Sequence, residues 1–155
     1  MRSALLLAFP LSAQAFDLTG TWEGKYVCKG FDGGKFSFSI PGTLEITQVG
    51  NDIDLQLPFT GGADVYRGVP IEATGKPEQG AVYFAHCGIS DVPGTGENGF
   101  DETGFANVKT KANGDGIFKA TTTFFLLAPP EVAGCKWKYK RVSTVNPNVP
   151  GCPNP

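Results

Sequence analysis

Residues 20–28 read Gly-Thr-Trp-Glu-Gly-Lys-Tyr-Val-Cys, and residues 135–141 read Cys-Lys-Trp-Lys-Tyr-Lys-Arg. In both stretches, large apolar residues alternate with charged or small ones, which is the period of a β-strand with one buried face. The first stretch ends on a cysteine, and the second begins with a cysteine. We therefore interpret them as two strands that lie side by side, joined by the rest of the chain.

Antiparallel pairing of these two strands has one register that matches both ends of the ribbon. It sets Cys28 opposite Cys135 at one end and Trp22 opposite Arg141 at the other. Directly opposite residues approach to about 4.5 Å between Cα atoms, which a disulfide can span. The guanidinium of Arg141 is expected over the Trp22 ring, a contact of about 0.5–2 kcal/mol. The other face of the last strand carries a basic row that we interpret as a solvated surface, formed by Lys136, Lys138 and Lys140.

The whole sequence predicts an all-β fold. Its 21 glycines and 12 prolines separate short alternating runs, and no run shows helical spacing. Eight strands are predicted, at Thr21–Cys28, Lys35–Val49, Asp52–Leu57, Val65–Thr74, Ala81–Cys87, Gly104–Ala112, Ile117–Leu126 and Cys135–Val142. We expect them to close into an eight-stranded antiparallel up-and-down β-barrel, with a seven-stranded sandwich as the alternative.

The predicted connections between these strands alternate in length. Those at one end of the barrel are short, whereas the other end receives the long connections 29–34, 58–64, 88–103 and 127–134. The alternation predicts one closed end and one loop-rich end, as in a cup.

Four cysteines are present, and an exported chain would form two disulfides from them. A Cys28–Cys135 bridge would close a loop of about a hundred residues and stabilise the fold by roughly 4–5 kcal/mol in the chain-entropy model. The second bridge would join Cys87 to Cys152, although pairing of Cys28 with Cys87 or Cys152 remains an alternative. The sequence has no C-x-x-C pair and a single histidine, so we expect no metal site and no cofactor.

Gly20-x-Trp22 in the first strand, together with Arg141 in the last, resembles the signature of the calycin superfamily. That superfamily comprises lipocalins, fatty-acid-binding proteins, avidins and some bacterial metalloprotease inhibitors. The resemblance implies a small β-barrel in which the first-strand tryptophan packs against a basic residue of the final strand. The sequence shows neither the further motifs of the central lipocalin families nor a full set of the biotin-contacting residues of avidins.

The two ends of the chain are interpreted as processing and tail segments. Residues 1–15 combine Arg2, an apolar run and Ala13-Gln14-Ala15, the pattern of a secretory signal peptide. The barrel domain is assigned to residues 16–142 and an extended, proline-rich tail to residues 143–155. We therefore expect a secreted or periplasmic protein. The formal net charge of −2 argues against nucleic acid as a partner, and no apolar run is long enough for membrane insertion by a helix.

No catalytic constellation is evident, and we expect a protein without enzymatic activity. His86 is interpreted as a structural histidine because its neighbour Cys87 points to the opposite face and is expected to be oxidised. Glu97, Asp101 and Glu102 lie in the predicted 88–103 loop and are interpreted as part of a solvated lid.

The chain is rich in aromatic residues, with 12 Phe, 4 Tyr and 2 Trp. Those predicted near the loop-rich end are candidates for lining a ligand cavity. They are Tyr26, Phe36, Phe38, Phe59, Phe84, Phe124 and Trp137. The leading hypothesis is a calycin-like protein that binds a small apolar ligand in the barrel. The alternatives are a protein-interaction module such as a protease inhibitor, acting through surface loops, and a structural envelope protein.

Overall fold

The computed structural model of the protein describes residues 16–30, 37–71, 78–90, 100–127 and 130–152. They form eight strands: β1 Gly20–Gly30, β2 Ser37–Val49, β3 Asp52–Phe59, β4 Gly62–Ile71, β5 Gln79–Ser90, β6 Phe100–Thr110, β7 Gly116–Leu127 and β8 Pro130–Ser143. Each strand pairs antiparallel with the next, and β8 pairs with β1. The predicted eight-stranded up-and-down barrel is confirmed. The described residues include no helix long and apolar enough to cross a membrane.

The seam between β1 and β8 has the predicted register. Cys28 lies opposite Cys135, and Trp22 lies opposite Arg141. The strands approach closely at Gly24, where a Cβ would lie 2.1 Å from the carbonyl oxygen of Lys138. Only a residue without a side chain fits there, because a Cβ at that distance would overlap the neighbouring backbone.

Several strands are longer than the sequence predicts, and the expected alternation of loop lengths is wrong. The hairpin between β3 and β4 turns at Thr60 and Gly61, with Gly61 at a φ of 96°, a value that favours glycine. Only residues 128 and 129 separate β7 from β8. β5 and β6 extend into the predicted 88–103 loop and leave residues 91–99 between them, outside the described part of the chain.

One end of the barrel, which we call the Trp22 end, is sealed by packing. The Trp22 indole donates a hydrogen bond to the carbonyl oxygen of Leu18 at 3.1 Å, and both side chains are fully buried. The Arg141 guanidinium lies 4.6 Å from the centroid of the Trp22 ring, as predicted. It also donates a hydrogen bond to the carbonyl oxygen of Asp17. The segment before β1 therefore covers this end together with Trp22 and Arg141.

The middle of the barrel is filled by aromatic rings around Trp137. The rings of Phe84, Tyr66 and Tyr26 lie 5.1, 5.2 and 5.3 Å from it between centroids, and edge-to-face contacts of this kind are favourable. Phe118 connects this group to Trp22 at a centroid distance of 6.2 Å. The rings form a packed core from Trp22 to Trp137.

Both disulfides join the predicted partners. Cys28 and Cys135 are bonded across the seam, with their Cα atoms 4.1 Å apart. Cys152 is bonded to Cys87 of β5, so the chain after β8 returns over the outside of the barrel. On the way, the backbone N–H of Val149 donates a hydrogen bond to the Thr47 hydroxyl of β2. Disulfides of this kind persist in oxidising compartments outside the cytoplasm.

Candidate functional site

The end of the barrel opposite Trp22, which we call the Glu102 end, holds a buried carboxyl group. Glu102 lies on β6, and only 2% of its surface is exposed. Its partner across the sheet is Phe124 of β7. The prediction of a solvated lid is therefore wrong for this residue. β6 begins at Phe100, and the alternation that buries Ala106 and Val108 continues back to Glu102.

Four neutral donors from four other strands surround this carboxyl group. The hydroxyl groups of Tyr26 and Tyr66 donate to its Oε2 at 3.1 and 3.0 Å. The Trp137 indole N–H donates to Oε1 at 3.2 Å, and the Thr122 hydroxyl donates to the same oxygen. A buried carboxyl group needs such partners, since each unsatisfied polar atom would destabilise the fold by about 1–3 kcal/mol.

Burial controls the ionisation of this cluster. The loss of water raises the pKa of Glu102 above its usual value, although the hydrogen bonds from Thr122, Tyr66, Trp137 and Tyr26 oppose that rise. Burial and the nearby Glu102 charge also raise the pKa values of Tyr26 and Tyr66, so both phenols remain protonated and act as donors.

A second carboxyl group, Asp64 of β4, lies at the same end. It is opposite Leu57 of β3, and its side chain is 23% exposed. Burial, followed by the charge of Glu102, raises the pKa of Asp64 to about 6. Unlike Glu102, this carboxyl group is therefore partly accessible from outside.

His86 of β5 faces Asp64, with 3.9 Å between Nε2 and the nearer carboxylate oxygen. Its side chain is only 2% exposed and packs against the Tyr66 ring. Burial lowers the pKa of His86, and the charge of Asp101 opposes that change. The neighbouring Cys87 is an extra residue in the β5 ladder, because Tyr66 pairs with His86 and Val65 pairs with Gly88.

The structure separates the predicted aromatic residues into three groups. Phe84 and Trp137 belong to the packed core. Tyr26 and Phe124 lie at the edge of that core, each 8% exposed, and the partly buried Phe38 packs against both, at centroid distances of 5.5 and 6.4 Å. Phe59 is 44% exposed at the tip of the β3–β4 hairpin. Phe36 lies outside the described residues.

The barrel wall is incomplete beside this aromatic group. β2 pairs with β1 along residues 37–46 but with β3 only from Glu45 to Val49. Beyond that point, no pairing joins the two strands in the described part of the chain. Ile40 of β2 is 54% exposed on this stretch. Pro41 and Gly42 lie on this same stretch of β2, where they pair with Lys25 and Gly24 of β1.

Four polar residues were not predicted from the sequence as members of this site: Asp64, Tyr66, Glu102 and Thr122. Extending the apolar period of β6 backward would have placed Glu102 inside the barrel, but a charged residue at the end of a strand was interpreted as a loop. Among the described residues, no group of three histidine, cysteine, aspartate or glutamate side chains has the arrangement of a metal site.

The chain matches no protein-family model, and no curated protein is significantly similar to it.

Proposed function

We propose that this is a secreted, non-enzymatic binding protein that holds a small, mainly apolar ligand at the Glu102 end of the barrel. We further propose that the ligand carries a basic amine. The observation that carries the proposal is the pair of inward-facing carboxyl groups, Asp64 and Glu102, beside aromatic side chains at the end where the core packing stops.

The apolar part of the ligand follows from the side chains above the core. Phe38 and Leu57 are only partly buried, whereas the residues below them are fully buried. A ligand that covers Phe38, Phe124 and Leu57 removes apolar surface from water, which is favourable by about 25 cal/mol per Å². The separation of β2 from β3 offers a route to this position.

The basic group of the ligand follows from the charges. The two carboxyl groups at this end, Asp64 and Glu102, can each carry a negative charge. The described inward-facing residues there include no lysine or arginine to balance it. An anionic ligand would bring a like charge beside Asp64 with no cation to offset it. An ammonium group would instead pair with Asp64 and lie against aromatic faces, which attract cations by about 0.5–2 kcal/mol.

Three twelve-carbon ligands with different head groups test this proposal: dodecylamine, dodecanol and dodecanoic acid. We expect a saturable change in tryptophan fluorescence with dodecylamine, because Trp137 contacts Tyr26 and donates to Glu102. Binding of dodecanoic acid should be at least about tenfold weaker, the equivalent of 1.4 kcal/mol. Isothermal titration calorimetry of the same ligands provides a second measurement.

The matched variants are Asp64→Asn and Asp54→Asn. Asp64→Asn should bring the affinities for the amine and the acid close together. Asp54→Asn should change neither, because Asp54 pairs with Arg67 on the outer surface. The absence of saturable binding with all three ligands would overturn the proposal. Equal binding of dodecylamine and dodecanoic acid to the wild-type protein would overturn the proposal that the ligand carries a basic amine.

A further inference from the structure

A shallow groove of about 720 Å³ lies on the outer face of the barrel where β1, β8 and β7 adjoin. Five exposed lysines line it, and no acidic side chain of the described residues does so. They are Lys25, Lys29, Lys119, Lys136 and Lys138. This is a strong concentration of positive charge on a protein whose formal net charge is −2.

Three of these lysines stand in one row across the strands. Lys138 of β8 is directly opposite Lys25 of β1 on one side and Lys119 of β7 on the other. Side chains in such positions have Cβ atoms about 4.5–5.5 Å apart, and like charges there destabilise a sheet. None of the three lysines belongs to an ion pair in the described part of the chain.

The next row toward the Trp22 end is different. Lys140 lies opposite Glu23, so a carboxylate accompanies the lysine there. The row of Lys25, Lys119 and Lys138 has no such compensation, although any of the three positions would accept a glutamate on an exposed strand face. An uncompensated row of this kind is favourable once an external anion neutralises it.

We propose that this groove binds a linear anionic polysaccharide, with sulfate or carboxylate groups along the lysine row. A chain with repeated negative charges matches lysines that repeat across and along the strands. The aliphatic stems of the lysines, together with Val27, which also lines the groove, supply apolar surface for the faces of sugar rings.

Two other polyanions fit the groove less well. Binding of single-stranded nucleic acid uses exposed aromatic rings for stacking, whereas Trp137, the one aromatic residue that borders the groove among the described residues, is 1% exposed. Attachment to an anionic membrane surface uses protruding apolar side chains, and the groove has no large exposed apolar residue in the part of the chain that the structure describes.

The test uses dextran sulfate, with uncharged dextran of the same length as its control. We expect the wild-type protein to bind dextran sulfate, with an affinity that falls as the salt concentration rises, because bound cations are released from the polyanion. Dextran should not bind. Failure to bind dextran sulfate at low salt would overturn the proposal. So would binding to phosphatidylglycerol vesicles without binding to dextran sulfate, which would assign the groove to a membrane surface.

Two triple variants distinguish the contribution of the groove to binding from the contribution of the protein's overall charge. The first replaces Lys25, Lys119 and Lys138 with glutamine, and the second replaces Lys109, Lys111 and Lys140 with glutamine. Both lower the net charge equally, but only the first removes the uncompensated row. We expect the first variant to bind dextran sulfate at least about tenfold more weakly and the second to bind nearly as well as the wild type. Equal weakening in both variants would overturn the proposal.

Folding does not limit this experiment, since the first variant removes like-charge repulsion within the sheet. Its free energy of unfolding, measured with urea, should equal or exceed the wild-type value. The result does not depend on the proposed ligand site inside the barrel, because dodecylamine binding reports on the Glu102 end alone.

Discussion

The two ends of this barrel are built from the same alternating strands but are filled in opposite ways. At the Trp22 end, an indole, a guanidinium and the segment before β1 close the interior by packing. At the Glu102 end, the interior contains two carboxyl groups, a histidine and two tyrosines. The difference indicates that apolar packing closes one end, whereas the polar groups at the other end depend on hydrogen bonds from several strands.

The Glu102 end nevertheless depends on its donors and on a covalent link. A carboxyl group buried as deeply as Glu102 would destabilise the barrel if its hydrogen-bonding partners were missing. The donors come from β1, β4, β7 and β8, so the arrangement exists only in the closed barrel. The Cys28–Cys135 bond holds β1 and β8 together at this end.

Removal of that bond should give the largest effect. Replacing both Cys28 and Cys135 with alanine opens a loop with a sequence separation of 107 residues. We expect the free energy of unfolding to fall by about 4–5 kcal/mol in urea denaturation, because the unfolded chain regains its loop entropy. Replacing Cys87 and Cys152 should lower the free energy of unfolding somewhat less, since their sequence separation is 65 residues. A loss below about 1 kcal/mol in the first variant would show that the seam does not need its disulfide.

Truncation of the packed end should have the next largest effect. Trp22→Ala removes a fully buried indole that contacts Phe118 and Arg141. Large-to-small changes of this kind cost about 3–5 kcal/mol, which urea denaturation measures. The matched control is Ile117→Ala on β7, whose exposed side chain should contribute less than about 1 kcal/mol. Equal losses in both variants would contradict a stability concentrated at Trp22.

The Arg141 guanidinium should contribute less to the free energy of unfolding than the Trp22 indole that it covers. Arg141→Met keeps much of the apolar stem but removes the charge above Trp22 and the hydrogen bond to the Asp17 carbonyl. We expect a loss of about 1–2 kcal/mol in the free energy of unfolding. Lys140→Met, one residue away on the outer face, serves as the control and should be nearly neutral. A neutral Arg141→Met would show that shape alone closes this end.

The smallest effect should be a pH dependence at the Glu102 end. The pKa of Asp64 is raised from 3.8 to about 6 in the fold, so the folded protein binds more protons than the unfolded chain between these values. Its contribution to stability therefore falls as pH rises from about 4 to 6 and is constant above that range. Asp64→Asn removes this fall.

We therefore expect the stability of Asp64→Asn, relative to the wild type, to increase over that interval. Allowing for solvent screening of a partly exposed carboxyl group, the increase should be on the order of 1 kcal/mol. Urea denaturation at several pH values measures it. A difference between the two proteins that stays constant with pH would show that Asp64 does not titrate as the structure indicates.

Only part of the lysine groove could be predicted from the sequence. The register between the first and last strands already placed Lys25 and Lys138 on one outer face. Lys119 joins them through the register of β7 with β8, which was not assigned from the sequence. Lys136 and Lys138, which were interpreted as part of a solvated surface, therefore became part of a candidate site only when a third strand was placed beside them.

The sequence by itself determined the strand alternation, and it favoured the seam register and the disulfide partners that the structure confirms. These follow from local chemistry, since a period of two fixes each face and the cysteines and the Trp22–Arg141 pair leave one register that matches both ends. Only the tertiary structure decided how far each strand extends, and therefore that Glu102 and Asp64 lie inside. A charged residue enters an interior only where donors from distant strands meet it, and that convergence is a property of the closed barrel.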